Sequence, residues 1–201
     1  LPDTNAARVA AGFYHSFYLD ANESLHGFGR NNEGSLGDGT NLERNASVQI
    51  ESSGVTDLSA GYHHSLYLKT DGSLWVAGYN KWGQLGDGST TNRNTPVRIE
   101  EQDVVSVVSG THHSLYLKSD GSLWGMGRNS NGQLGIGLSA GNNDEFNAGI
   151  DQPSPVQIVA SGVVAMTGGS HSSLFIKDDG SLWAMGYNGN GRLGDGTYDA
   201  H

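Results

Sequence analysis

The chain has 201 residues, a net charge of −10 at pH 7, 16% charged residues and 31 Gly. The acidic balance argues against nucleic-acid binding, which needs Lys and Arg to neutralise phosphates, and no apolar run approaches the roughly 18 residues of a membrane-spanning helix. The absence of Cys excludes disulfides, thiol catalysis and Cys-based metal sites, and it leaves both a secreted and a cytoplasmic bacterial location open.

A short motif that contains His and Ser recurs four times along the chain. Its copies begin at Gly12, Gly61, Gly110 and Gly169. Self-similarity at a period of about 20–50 residues is the signature of repeat architectures. We therefore divide the chain into repeats 12–60, 61–109, 110–168 and 169–201, with residues 1–11 as the tail of a preceding or shared blade.

Each repeat has the pattern of four short β-strands. Residues 63–68 alternate between the two faces of an extended segment. The Asp71-Gly72 pair that follows predicts a two-residue hairpin turn, and residues 73–79 return as the partner strand. Further strands are predicted around 96–99 and at 104–108. Four strands in one repeat correspond to one blade of a β-propeller, so we predict an all-β fold of about four antiparallel blades.

The repeats resemble those of the regulator of chromosome condensation (RCC1) family, whose pattern reads Gly-x-x-His-Ser, then Asp-Gly, then Gly-x-Asn-x-x-Gly-Gln-Leu-Gly. The resemblance covers nearly the whole chain and includes bacterial members. The chain departs from the pattern at three positions: Ser172 replaces the motif His, His26 stands where the other repeats have Trp, and Ile136 replaces the Asp of Gly-Asp-Gly. The resemblance implies a single propeller domain, usually within a ring of seven blades.

About four blades can be arranged in three ways. They can close as a four-bladed monomer, pair head to tail with a second chain as an eight-bladed homodimer, or form part of a larger ring. We favour the homodimer or the partial ring, because the family packs its blades at the angles of a wide ring.

The recurring polar residues can be interpreted as ligands or as structural groups. Seven His residues occupy strand positions or their equivalents and could converge on a metal, but a His followed by Ser once per blade is more typical of a structural hydrogen bond to the backbone. Asp38, Asp87 and Asp195 lie in turns without the spacing of a calcium loop, which favours hydrogen bonds to local backbone. We therefore predict no catalytic residue, no metal, no cofactor and no enzyme activity.

Binding residues are expected where the repeats differ. The loop after the second strand of each repeat varies and presents Tyr, Arg and Trp, which are enriched at protein interfaces. Trp82 either contacts a partner or covers a neighbouring loop. The predicted binding residues are Arg30, Asn32, Glu33, Tyr79, Lys81, Trp82, Arg128, Asn131, Tyr187 and Asn190.

The third repeat also carries about ten extra residues within 138–152. This polar segment contains Phe146 and Ile150, so it is either a binding finger or a tolerated surface insertion.

These observations favour a non-catalytic propeller that binds another protein through loops on one face. The alternative is a carbohydrate-binding propeller, with Trp82 or Tyr79 stacked on sugar rings. Guanine-nucleotide exchange, which only the family resemblance implies, and an enzyme with a site in the central channel are less favoured.

Overall fold

The structure is a computed structural model that describes residues 5–137 and 150–200. It contains four antiparallel sheets in which the strand order follows the chain. The first sheet comprises β1 (Ala6–Ala11), β2 (His15–Asp20), β3 (Leu25–Gly29) and β4 (Arg44–Glu51). The second comprises β5 (Val55–Ala60), β6 (His64–Lys69), β7 (Leu74–Gly78) and β8 (Arg93–Glu100).

The third and fourth sheets repeat this design. The third comprises β9 (Val104–Ser109), β10 (His113–Lys118), β11 (Leu123–Gly127) and β12 (Gln152–Val159). Within the described residues the fourth comprises β13 (Val163–Gly168), β14 (Ser172–Lys177) and β15 (Leu182–Gly186). The predicted all-β propeller of about four blades is confirmed as a partial ring. In the same described ranges, no helix has the length and apolarity needed to cross a bilayer.

Each sheet begins one strand before the sequence repeat. Repeat 12–60 contains β2 to β5, whereas the first sheet contains β1 to β4. β1 lies in the segment predicted as the tail of a preceding or shared blade, and it pairs with β2, which completes the first sheet. The first strands of successive sheets contact one another in order, β1 with β5, β5 with β9 and β9 with β13.

Neighbouring blades bury their apolar residues against each other. On the second blade, Leu66, Leu68 and Leu74 pack against Val107 and Tyr116 of the third. Because alternate residues of one strand point to opposite faces of its sheet, both faces of an inner strand such as β6 are buried. Blade stacking, and not local propensity, is therefore the main source of apolar burial.

The hairpin between the second and third strands differs from the expected turn. The Lys69 carbonyl accepts a hydrogen bond from the Gly72 amide at 2.9 Å, and the Lys69 amide donates to the Ser73 carbonyl at 3.1 Å. Thr70 and Asp71 are thus the central turn residues, and Gly72 takes the left-handed position with φ +76°. The prediction of a two-residue Asp-Gly turn was wrong, because Gly72 occupies the bulge that follows a type I turn.

A chain of hydrogen bonds that joins each blade to the next explains the recurring His and Ser. His15 of the first blade lies 2.9 Å from the Ser65 hydroxyl of the second, and that hydroxyl donates back to the Ser35 carbonyl of the first at 2.6 Å. Since the hydroxyl hydrogen is committed to the carbonyl, Nε2 of His15 is the donor to Ser65. We call this arrangement the His–Ser bridge.

The same bridge occurs at the next two junctions. His64 pairs with Ser114 at 3.0 Å and His113 with Ser173 at 2.9 Å, and each serine donates to a carbonyl in the preceding blade. Burial, with a smaller contribution from His63, lowers the pKa of His15 to about 4. Burial likewise lowers the pKa of His113 to about 3. The bridging imidazoles are therefore neutral near pH 7. The predicted hydrogen bond from these His residues to the backbone was wrong in its partner, because each Nε2 pairs with a serine hydroxyl of the next blade.

The bridge also explains the glycine that opens the motif. A Cβ added to Gly61 would lie 2.4 Å from an imidazole carbon of His64, and one added to Gly110 would meet His113 in the same way. Such distances are far inside van der Waals contact, so a larger residue would displace the ring that forms the bridge.

The first blade contains a strained version of the hairpin turn. Glu23 occupies the position of Gly72 and has φ +61°, a conformation that costs an L residue about 1–2 kcal/mol. We expect Glu23→Gly to raise the free energy of unfolding by about 0.5–1 kcal/mol, because the relieved strain exceeds the extra unfolded-state entropy of glycine. Urea denaturation measures the change.

The matched control for this substitution is Glu23→Ala, which removes the same side chain but keeps the Cβ atom. It should leave the free energy of unfolding nearly unchanged. Equal gains from the two variants would show that the Glu23 side chain, and not its backbone conformation, is unfavourable.

Candidate functional site

Two sets of loops emerge together at one end of the blades. One set joins the first and second strands at 12–14, 61–63, 110–112 and 169–171, and the other follows the third strand at 30–33, 79–82, 128–131 and 187–190. Backbone hydrogen bonds of 2.8–2.9 Å tie the sets together in every blade, for example from the Tyr79 amide to the His63 carbonyl. We call this surface the loop face.

A buried Asn in each blade shapes the second set of loops. Asn80 accepts the Leu85 amide at 2.9 Å and donates to Asp87 at 3.0 Å. Asp87 also accepts the Ser89 amide and pairs with Arg93 at 2.7 Å. Although burial alone would raise the pKa of the Asp87 carboxyl, the hydrogen bonds from Ser89 and Arg93 hold it below its usual value. The Asp of these turns thus has the local role that was predicted.

The loop face carries a continuous row of aromatic side chains across three blades. We call it the aromatic run, and its members are Phe13, Tyr14, Tyr62, His63, Tyr79, His112 and Trp82. Tyr14 stacks on His63 with ring centroids 5.1 Å apart, and Tyr62 stacks on His112 at 5.6 Å. Most other contacts are edge to face, such as Tyr79 against His112 at 6.2 Å, a geometry that aromatic pairs favour.

The two imidazoles in the run are uncharged near neutral pH. Burial, with a smaller contribution from Arg128, lowers the pKa of His112 to about 3. Burial also lowers the pKa of His63, although the nearby carboxylate of Glu33 opposes the shift. Within the described residues, Nδ1 of each ring is buried without a hydrogen-bond partner.

Cations lie against the two ends of the aromatic run. The Arg30 guanidinium lies 5.1 Å from the centroid of the Tyr14 ring. At the other end, Lys81 and Arg128 lie 5.0 and 4.8 Å from the centroid of the Trp82 ring. Trp82 therefore covers a loop of the neighbouring blade and also contributes to the exposed row.

The predicted binding residues have different environments. Tyr79 and Trp82 belong to the aromatic run, while Asn32, Lys81 and Asn190 are exposed. Arg30, Glu33 and Tyr187 are half-buried. Arg30 faces Glu33 at 3.6 Å, and Tyr187 lies under the Arg192 guanidinium at 4.7 Å.

Two predicted binding residues need correction. Arg128 and Asn131 are each only 8% exposed. Arg128 packs over Trp82 and donates to the Ser130 hydroxyl at 2.8 Å, and the Asn131 amide donates to Gln133 at 2.9 Å. Both are buried within the loop face and offer a partner little surface.

Only part of the extra segment in the third repeat can be assessed. Phe146 lies outside the described residues. Ile150 is half-buried, and its carbonyl accepts a hydrogen bond from the Gln152 side chain at 3.0 Å.

Sequence reasoning missed the contribution of the first set of loops. Phe13, Tyr14, Tyr62, His63 and His112 were assigned to the recurring strand motif, yet they form most of the aromatic run. The signal was present, because the two residues after each motif Gly read Phe-Tyr, Tyr-His, Thr-His and Ser-His. These positions vary between blades just as the predicted loops do.

A central cleft of about 480 Å³ opens beside the aromatic run. Its wall is formed by the ends of the first strands and by the motif glycines, with Phe13 and Tyr62 at the rim. Its described lining contains the hydroxyls of Tyr62, Ser109, Thr111 and Ser170 but no carboxylate, imidazole or amine. Across the described ranges, no three His, Asp or Glu side chains are grouped as metal ligands.

Comparison with known proteins identifies the repeats. The model of the regulator of chromosome condensation (RCC1) repeat matches residues 22–68, 71–117 and 120–176, and a second model of the same repeat matches 6–35, 55–84 and 104–133. A search of curated protein sequences finds no match.

Solved structures share the fold at low sequence identity. Prp20p from Saccharomyces cerevisiae is 23% identical with a TM-score of 0.81, and the match covers 100% of this chain and 50% of that one. Yeast RCC1 (Prp20) bound to Kap60 is 22% identical with a TM-score of 0.82, over 100% and 48% of the two chains. Human WBSCR16 is 22% identical with a TM-score of 0.76, over 91% and 47%.

The chain thus spans about half the length of the solved structures that it matches. The repeat models cover most of the described blades, and the sheet order agrees with them. The chain belongs to the regulator of chromosome condensation (RCC1) repeat family.

Proposed function

We propose that this propeller is a non-catalytic module that binds another protein through its loop face. The observation that carries the proposal is the aromatic run, which crosses three blades and includes exposed Phe13 and Tyr14. Aromatic residues and Arg dominate the energetics of protein interfaces, and clusters of them on a rigid scaffold are typical of binding sites.

The packing of the run favours a protein over a carbohydrate. Sugars stack on open ring faces, whereas these rings meet edge to face and cover one another. Lys81 and Arg128 already lie over the Trp82 ring, where they compete with a sugar for the π-face. An uneven surface of ring edges, cations and a cleft suits the irregular side chains of a protein.

Structures of relatives are consistent with protein binding. Yeast RCC1 (Prp20) has been solved bound to Kap60, and the work on Prp20p concerns its binding to Gsp1p and histones. Those partners are stated of Prp20. What supports the transfer to this chain is the shared scaffold together with the aromatic run on its own loops.

Affinity capture with quantitative mass spectrometry tests the binding face. Proteins enriched by the wild-type chain should fall at least about ten-fold with Tyr79→Ala/Trp82→Ala, because these residues contribute two rings of the run. The control is Glu101→Ala, whose side chain is 83% exposed at the opposite end of the blades, and it should capture the same proteins.

Two outcomes would contradict the proposal. One is equal capture by the double variant, once urea denaturation has shown that it is folded. The other is glycan-array binding that disappears in the same double variant, which would favour the carbohydrate alternative.

We further propose that two chains pair head to tail. The end blades expose the two halves of an interface that inside the chain is closed. Leu182 of the fourth blade is equivalent to Leu74, which packs against the next blade, yet Leu182 is 66% exposed. Val9 of the first blade is equivalent to Val107, which receives that packing, and Val9 is 79% exposed.

The junction between two chains would lack the His–Ser bridge that joins the blades within one chain. Ser172 stands where the other blades place the bridging His, so no His–Ser bridge would form there. Apolar contact would therefore have to stabilise the junction. Apolar clefts beside Leu182 and beside Val9 could accommodate side chains of the second chain.

Light scattering coupled to size exclusion tests the homodimer. We expect twice the 21.2 kDa of one chain for the wild type. We expect a single-chain mass for Leu182→Glu, because a buried unpaired carboxylate opposes association. A single-chain mass for the wild type would contradict the proposal, as would a double mass that Leu182→Glu leaves unchanged.

A further inference from the structure

We propose that the loop face selects an acidic segment of its protein partner, with Asp or Glu side chains near Arg30 and Lys81 and apolar side chains against the aromatic run. This inference rests on the proposed function and names the chemistry of the partner.

The distribution of ion pairs singles out the loop face. The chain has 11 Lys and Arg, and six of them have a carboxylate oxygen within 3.4 Å: Arg8, Arg44, Lys69, Arg93, Arg98 and Lys118. The remaining five are Arg30, Lys81, Arg128, Lys177 and Arg192. All except Lys177 lie on the loop face or directly beside it. Among the described residues, Arg30 is the one of these five with a carboxylate oxygen within 4.0 Å, that of Glu33 at 3.6 Å.

Arg30 is the clearest case of an incompletely paired cation. Its nearest carboxylate, that of Glu33, is 3.6 Å from the guanidinium, which is longer than a charge-assisted hydrogen bond. Its Nε is buried and has no partner within the described residues. A carboxylate of a bound segment could therefore pair with this guanidinium without breaking a short ion pair.

Both ends of the blades are acidic overall. The hairpins and connections at the end opposite the loop face contain ten Asp and Glu against three Lys. They are residues 20–24, 51–54, 69–73, 100–103, 118–122, 159–162 and 177–181. The loop face contains Arg30, Lys81 and Arg128 against the single acid Glu33, but the connections that begin there continue through further acids, among them Asp38, Glu43, Asp87, Asp151, Asp195 and Asp199. The feature that favours an anionic segment is therefore local: cations beside uncharged rings, and not a difference in net charge between the two ends.

The spacing of charge and aromatic groups favours a short acidic segment over a general polyanion. Arg30 lies at the Tyr14 end of the run and Lys81 at the Trp82 end, and the imidazoles between them are neutral near pH 7. Two separated cations on an uncharged aromatic surface match carboxylates separated by apolar residues. A chain of net charge −10 repels a uniformly charged polymer such as DNA.

A peptide array tests the inference. Each peptide that contains Asp or Glu is paired with an amide twin, in which Asn replaces Asp and Gln replaces Glu. The wild-type chain should bind acidic sequences that also carry apolar residues, and the amide twins should bind at least about ten-fold more weakly. The double variant Arg30→Gln/Lys81→Gln should lose the preference for the acidic peptide of each pair, because it removes both positive charges and keeps every ring of the aromatic run. Lys177→Gln is the matched control, because Lys177 also lies over a ring, that of Trp183 at 4.8 Å, but at the opposite end of the blades.

Three results would overturn the inference: equal binding of acidic peptides and their twins, equal preference in Arg30→Gln/Lys81→Gln and the wild type, or equal binding of double-stranded DNA or polygalacturonate. Failure of this inference can be distinguished from failure of the proposed function. If Tyr79→Ala/Trp82→Ala abolishes capture of a protein while the charge variant does not, the loop face binds a protein but does not select acidic segments.

Discussion

The His–Ser bridge is the contact on which the rest of this structure depends. One hydroxyl, that of Ser65, accepts a hydrogen bond from the first blade and returns one to the Ser35 carbonyl of that blade. In the same junction the Ser35 hydroxyl donates to the His63 carbonyl at 2.8 Å. A blade therefore gains both a packed neighbour and a fixed angle to it, because hydrogen bonds are directional and apolar packing is not.

The bridge also positions the candidate binding surface. Ser35 lies two positions after the loop at 30–33, and His63, a member of the aromatic run, directly precedes His64 of the next bridge. The residues that hold the blades together are thus close in sequence to those that face a partner. Invariant elements of the repeat set the position of each loop, and the variable residues between them decide which rings and charges the loop presents.

Cations are paired differently at the hairpin end and around the aromatic run. At the hairpin end, Lys69 and Lys118 pair with Glu51 and Glu100 at 3.0 and 2.9 Å. The loop face keeps its cations over aromatic rings instead. A cation over a ring retains more of its capacity to bind a carboxylate than one in a short ion pair, so the arrangement is suited to recognition more than to stability.

Most of the fold could be predicted from the sequence, because each repeat encodes the same strands and turns. The structural role of the motif His and the local role of Asp38, Asp87 and Asp195 were also predictable. The bridge itself was not, since His15 and Ser65 are 50 positions apart and meet only when the blades stack. The burial of Arg128 and the turn position of Gly72 escaped prediction for a similar reason: both depend on backbone geometry that residue types alone do not specify.

The most direct test of this account is amide hydrogen exchange in Ser65→Ala. The variant removes the hydroxyl at the centre of one bridge and leaves every ring of the loop face in place. We predict faster exchange in residues 30–36 and 61–64, with the hairpin at 69–73 unchanged, because only the loop end of the junction loses its hydrogen bonds. Equal acceleration at both ends of the blade, or no acceleration at all, would show that apolar packing and not the His–Ser bridge holds the loop face in position.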